Sequence, residues 1–412
     1  MKKLIILLFV MPFISFSQDK GVSFEHGLNW EQVKTKAKTE NKFIFVDCFT
    51  TWCQPCKYMT STIFPQAKVG EFFNTNFVNL KVQMDQTDQD SPKIKSWYKE
   101  AARFASEYSV VAYPTFLIFN PQGELVHRIV GGGEAEDFIV RAKEGLNPKT
   151  QYVTLVKKYR ANPNDAVIAK DMATAASHAY DRELEQEATN RYVELVGGET
   201  LLTPENIGLL LRGATSSKSP SFVIIKNNKA KVDTLLLAKN RTANDVLSSV
   251  LSSELVMPKI RNKEENIDFP TLQLQIEKDH PYVNMSASMA RAKAQYYQGQ
   301  KNWPAFKDAV EEYIAASETE VFSGMLNSYA WSIFENCDDA ACLQAALAWS
   351  KKSIAEREEP VFVDTYANLL YKSGDKQNAL IWQQKAVDNS TGRNQEAFRA
   401  NLLKMQNGQP TW

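Results

Sequence analysis

Residues Phe43-Ile44-Phe45-Val46-Asp47-Cys48-Phe49 form an unbroken apolar run with one carboxylate inside it, which reads as a strand buried on both faces. A second such run, Val111 to Phe119, carries Pro114 at its entrance, a position where a proline is tolerated in a strand. Ahead of the first strand, Trp30-Glu31-Gln32-Val33 opens a helix that closes before Asn41-Lys42. Between Asp85 and Val110, the residues Ile94, Trp97, Tyr98, Ala101, Ala102 and Phe104 recur at helical spacing and predict an added or lengthened helix. Strand signals of this strength stop near Pro148. From there the apolar positions keep a helical period, first through Tyr159, Ala166, Ile168, Met172, Ala175 and Tyr180, then through Leu184, Ala188, Tyr192 and Leu195. Beyond Pro281 the pattern repeats itself. Ala367, Tyr371, Gly374, Ala379, Leu380, Trp382 and Ala386 are echoed by Ala330, Phe334, Ala346, Leu347 and Trp349, and more loosely by Tyr297, Gly299, Ala305 and Ala309. Small residues let paired helices approach closely while aromatics fill the layers between pairs. The expected fold is an α/β unit with a central mixed sheet flanked by helices, followed by an all-α helical-repeat region.

The first residues obey a different rule. Met1-Lys2-Lys3 precedes the apolar stretch Leu4 to Ile14, too short to span a bilayer, and Ser15-Phe16-Ser17 supplies small residues before Gln18. That is the pattern of a cleaved secretory signal peptide, which places the mature chain in the periplasm or outside the cell. With 412 residues the chain has room for two or three domains. The expected segments are a signal peptide over 1–17, the α/β domain over 18–148, a helical region over 149–280 and helical repeats over 281–412. Charge changes the picture only by exclusion. The chain has 48 basic and 48 acidic residues, so no global field recruits nucleic acid, and peripheral membrane contact is left open.

The chemistry concentrates at Trp52-Cys53-Gln54-Pro55-Cys56-Lys57. Two cysteines two residues apart, with proline before the second, place a dithiol at the start of a helix. The helix end favours the thiolate of Cys53, and Cys56 lies one turn away, able to close a small ring. Cysteines at this spacing are also half of a zinc site, for which Cys337 and Cys342 are the other available pair. Those lie far along the chain and at a different spacing, whereas zinc knuckles usually share one small unit. Asp47 is anomalous in its strand. A buried carboxylate is costly unless its proton is used, and behind a dithiol it could take and return the proton of Cys56.

Asp47, Trp52, Cys53, Pro55, Cys56, Lys57, Pro114 and Thr115, followed by Asn120-Pro121-Gln122-Gly123 and Gly131-Gly132, occur in the order found in the thioredoxin superfamily, which the chain resembles from near Val22 to near Leu146. The α/β unit is accordingly expected to be thioredoxin-like and the C-terminal repeats tetratricopeptide-like. The resemblance implies that Cys53 is the nucleophile, Cys56 the resolving thiol, Pro114 a cis-proline facing them and Asp47 a buried proton relay, with Lys81 its neighbour. It implies substrate contacts at Trp52, Tyr113, Pro114 and Thr115, and redox tuning by Gln54, Pro55, Lys57 and Lys81. Small thioredoxins carry a proline five residues after the second cysteine, where this chain has Ser61. With the insertion after Asp85, this looks more like the soluble C-terminal domain of membrane thiol:disulfide interchange proteins. The implied partners are disulfide-containing envelope proteins and a membrane thiol reductant system. No cofactor beyond the redox-active disulfide and no metal is expected.

The remaining motifs are bland by comparison. In Asn336-Cys337-Asp338-Asp339-Ala340-Ala341-Cys342 a local structural disulfide is expected, with a second redox site as the sharper alternative. Cys48 reads as an inert buried thiol. His26, His127, His178 and His280 are scattered singly, and Gly131-Gly132-Gly133 runs into Glu134 and Glu136, where phosphate would be repelled. Two readings follow. One is an exported thiol–disulfide oxidoreductase, a disulfide reductase by preference. The other is a helical-repeat interaction protein in which the α/β unit only binds or stiffens.

Overall fold

Four strands make one mixed sheet in the order β2-β1-β3-β4. Strand β1 is Phe43–Phe49, β2 Phe77–Gln83, β3 Thr115–Phe119 and β4 Leu125–Val130. β1 pairs parallel with β2 and antiparallel with β3, and β3 pairs antiparallel with β4. The computed structural model describes residues 21–355 and 357–412, which divide into two compact units between Leu195 and Val196. The expected signal peptide over 1–17 lies outside the described residues.

Period-two alternation sorts the central strands onto two cores. Ile44, Val46 and Cys48 of β1, with Leu117 and Phe119 of β3, face one core that also holds Trp30, Val33 and Phe104. Phe45, Phe116 and Ile118 face the other, where they meet Met59, Ile63, Phe64, Phe73 and Phe138. Alternation therefore puts Asp47 on the same face as Phe45. That is the face covered by the helix that follows β1.

Local chemistry explains the flanking helices. Helix α1 (Trp30–Glu40) starts in a capping box, with Asn29 Oδ1 accepting the N–H of Gln32 and Gln32 Oε1 accepting that of Asn29. It ends at Asn41 in the left-handed region, a conformation asparagine tolerates. Helix α2 (Gln54–Tyr58) runs directly into a π-helical turn over Met59–Ile63, closed by Phe64 N–H donating to Met59 O at 2.8 Å. The widened turn surrounds Ser61, where small thioredoxins carry their helix-kinking proline. Helix α3 (Ala67–Asn76) leads into β2. The insertion forms two short helices, α4 (Pro92–Ser96) and α5 (Tyr98–Glu107), and α6 (Ala135–Glu144) follows β4.

The first unit runs on past Pro148 through α7 (Tyr152–Ala161), α8 (Ala166–His178) and α9 (Arg182–Val196) as far as Leu195. Its anchor is a residue with no conspicuous signal in the sequence. His127 of β4 accepts the N–H of Tyr152 at Nδ1, 3.0 Å away, while the Tyr152 hydroxyl donates to Asp181 at 2.7 Å. Burial, then the neighbouring His178, push the His127 pKa down to about 4. The unfolded chain takes up this proton at about pH 6.5, so between about 6.5 and 4 it binds more protons than the folded protein. The His127 contribution is complete above that window and is lost as pH falls through it. Chemical denaturation at pH 7 and at pH 4.5 is expected to show a loss of about 3 kcal/mol or less from this group. A His127→Leu variant is expected to lose that part of the pH dependence.

The second unit is helical throughout its regular structure among the described residues. Three helix pairs recur at even spacing: Ser286–Gly299 with Trp303–Ala316, Ser323–Asn336 with Ala340–Ser353, and Pro360–Lys372 with Lys376–Asp388. Each short turn ends in a capping side chain: Asn302 accepts the N–H of Ala305, Asp339 that of Cys342, and Asp375 that of Asn378. Ala294, Ala309, Ala330 and Ala346 let the helices close on Phe306, Phe334 and Trp349.

The expected disulfide between Cys337 and Cys342 is not formed; both are free, buried thiols. Cys337 ends one helix in extended backbone, while Asp339 caps the next helix and fixes Cys342 in its first turn. Burial, then the hydrogen bond the Cys342 thiol donates to Cys337, push that thiol up to about 12. Neither exposure nor thiolate is available there for exchange. With Cys53 and Cys56 oxidised, thiol titration is expected to find none of Cys48, Cys337 and Cys342 in the native protein and all three after denaturation. Reduction should then release the remaining two.

Candidate active site

Cys53 and Cys56 are joined in a disulfide at the N-terminus of α2. Cys53 is the N-cap, and its Sγ accepts the N–H of Cys56 at 3.1 Å. Kept on reduction, that contact would become a charge-assisted bond to the thiolate of Cys53, added to the helix end. Pro55 sits within the first turn, where its missing N–H removes no helical bond. Both cysteines are only 3 % exposed, whereas Trp52 beside them is 66 % exposed. Gln54 and Lys57 are exposed on the same short helix.

The opposite wall comes from the start of β3. The Tyr113–Pro114 peptide is cis, the Tyr113 ring meets Trp52 edge-on at 5.8 Å, and the buried Thr115 hydroxyl donates to Ala112 O. Pro114 O accepts the N–H of Gly131 at 2.9 Å. Gly131 has φ +84°, and a Cβ on neighbouring Gly132 would lie 3.1 Å from Met59 Sδ. The small residues thus let this loop close onto the active-site helix. Arg141 holds it from behind through bonds to the carbonyls of Gly131 and Gly132.

Beneath α2 lies the carboxylate. Register places Asp47 directly opposite Lys81 on β2, and Lys81 Nζ is 3.2 Å from Asp47 Oδ2. Asp47 is 2 % exposed, and its Oδ1 has no hydrogen-bond partner among the described residues. Burial raises its pKa, Lys81 partly offsets that, and the result is about 6. Lys81 also donates to Thr60 Oγ1 at 2.7 Å and lies over the rings of Phe49, Phe24 and Phe64. An acid that titrates near neutrality under a dithiol can exchange protons with a thiol. Cys48, one residue on, faces the other core, and burial raises its pKa well above the ordinary thiol value.

Asp85 is a residue that sequence reading passes over. Its carboxylate accepts both the N–H of Thr51, at 3.0 Å, and the Thr51 hydroxyl, pinning the loop that leads to Cys53. Asp90 similarly gathers Tyr98, Gln83 and Thr87, which ties the insertion to the end of β2. A carboxylate in the loop after a strand is too common a pattern to mark either role. Among the described residues no group of three or more His, Cys, Asp or Glu side chains is placed to hold a metal, and no helix is long and apolar enough to cross a membrane.

Residues 30–144 match the family model of the thioredoxin-like domain. Thioredoxin H4 of Arabidopsis thaliana is 31% identical over 107 residues, 26% of this chain and 75% of that protein. The thiol:disulfide interchange protein DsbD of Pseudoalteromonas atlantica is 28% identical over 120 residues, 29% of this chain. The chain spans only 18% of that protein's length, and 51% of a thioredoxin-2 from Pyricularia oryzae. A solution structure from Bacteroides thetaiotaomicron, described as a candidate disulphide-isomerase, is 35% identical, with 32% of this chain and 98% of that one covered at a TM-score of 0.26.

Proposed function

Since this chain belongs to the thioredoxin-like family, we propose that it is an exported thiol–disulfide oxidoreductase that reduces disulfides of envelope proteins. The observation that carries this reading is the Cys53–Cys56 pair at the N-terminus of α2, with the buried carboxylate of Asp47 on the sheet face that the continuation of this helix covers. Cys53 thiolate attacks one sulfur of a client disulfide, the client S–S bond breaks, and the first client thiolate leaves. Cys56 gives its proton to Asp47 and attacks Cys53 Sγ, which breaks the mixed disulfide and releases the second client thiolate. The client gains two electrons and Cys53–Cys56 becomes the disulfide. A dithiol of a membrane reductant system then restores it, and Asp47 returns the proton. Exposed Trp52, with Tyr113, offers an apolar platform beside buried sulfurs, as a client segment requires.

Export rests on the basic and apolar pattern of Met1 to Ser17. The helical unit, with its evenly spaced pairs, is read as a tetratricopeptide-like surface that gathers clients or assembly partners. The test is a single-turnover reaction of the reduced protein with a disulfide-bonded client, quenched by alkylation and read by mass. Stoichiometric loss of the two thiols with reduction of the client supports the enzyme. Binding without thiol loss supports the interaction protein.

A further inference from the structure

The edge strand β2 is covered on its open side only as far as Asn79, whose carbonyl accepts the N–H of Glu25 at 2.8 Å. Beyond that bridge a cavity of about 310 Å³ opens between the Glu25–Leu28 segment, β2 and α4. Leu28, Phe49, Leu80, Ile94 and Trp97 form the apolar part of its lining, and His26, Gln83 and Ser91 add neutral polar groups. Its cations are Lys81 and Lys93. The single carboxylate on the lining, Glu25, is already held by Lys36 at 2.6 Å. Lys93 has no ion-pair partner among the described residues.

Apolar side chains beside Lys93, a cation with no carboxylate partner among the described residues, suit a ligand of matching polarity, and the volume lies in the range of small-molecule sites. We propose that this cavity binds an amphipathic organic anion, with its aryl or alkyl body between Leu80 and Trp97 and its carboxylate or sulfonate at Lys93 and Lys81. Lys81 connects the site to the chemistry described above. The ammonium that would meet the ligand is the one 3.2 Å from Asp47 and 2.7 Å from Thr60. An anion that draws it outward weakens the attraction that keeps Asp47 ionised, so the occupied protein resolves mixed disulfides more slowly at neutral pH. That consequence rests on the proton-relay reading of Asp47; the binding does not.

The experiment is a fluorescence titration of the oxidised, mature protein with anilinonaphthalene sulfonate, followed by displacement with laurate. One saturable site per chain is expected. Ile94→Arg fills the cavity and should weaken binding by about tenfold or more, and Lys93→Glu by about fivefold with circular dichroism unchanged. Val361→Arg, which removes an exposed apolar side chain from the helical unit, should leave the affinity as it was. Non-saturable binding, or an equal loss in Val361→Arg, overturns the proposal. If Ile94→Arg does not fold, unchanged affinity in Lys93→Glu overturns it alone. Failure here leaves the exchange chemistry of Cys53 intact, because the readout involves no thiol.

Discussion

Cells carrying Cys56→Ser are expected to accumulate mixed disulfides between this protein and its clients, while turnover falls by roughly three orders of magnitude or more. Cys53 keeps its helix-end position, so attack survives, and the adduct has no second thiol to resolve it. Cys53→Ser should lose turnover to the same degree and trap nothing, because Cys56 lies inside the helix and lacks the N-cap position that favours the thiolate of Cys53. The asymmetry follows from which sulfur sits at the N-cap. Non-reducing gels after acid quench read it directly. Equal and negligible trapping by both variants would mean that neither sulfur attacks clients, and would favour the interaction-protein reading.

Asp47→Asn should slow resolution by about a hundredfold at pH 7 and, at the same time, stabilise the fold. In the wild type the resolving step is expected to slow as pH falls through about 6, where Asp47 takes up its proton and can no longer accept one from Cys56. The variant should lack that inflection. The stability effect has the opposite sign. The carboxyl is protonated up to about pH 6 when folded but only to about 4 when unfolded, so in that interval the folded protein holds more protons. Wild-type stability therefore falls as pH rises through the interval and stays lower above it, by about 3 kcal/mol from this group. Removing the charge should recover up to about 2–3 kcal/mol at pH 7, less whatever Lys81 loses with its partner. A residue kept at a cost to stability is one used in function. A variant that is destabilised and exchanges at the wild-type rate would make Asp47 structural.

Much of the site could be read from the chain because its signals are local. The dithiol and Pro55 lie within one turn, Pro114 marks a strand entrance, and Asp47 stands out as the one charge in a run of apolar residues. What escaped local reading depends on contacts distant in sequence. Lys81 beside Asp47 is legible only through the family resemblance, because the two meet through the register of two parallel strands, which no short motif encodes. Asp85 reaches back to Thr51, and His127 binds the first turn of α7, so the first unit runs beyond the point where strand signals end. The π-helical turn after α2 widens the helix at Met59–Ile63 without a residue type that announces it. Cys337 and Cys342 show the opposite failure. Their spacing suggests a bridge, but helix capping by Asp339 sets the backbone, and the core of the second unit takes both thiols.

The most direct measurement is the redox equilibrium of Cys53 and Cys56 in the mature protein against a dithiothreitol buffer, read by thiol alkylation. A reversible two-electron transition near about −270 mV is the predicted result and marks a disulfide reductase. A transition near about −120 mV would make the protein an oxidant that introduces disulfides, and the absence of any reversible transition would contradict the account outright.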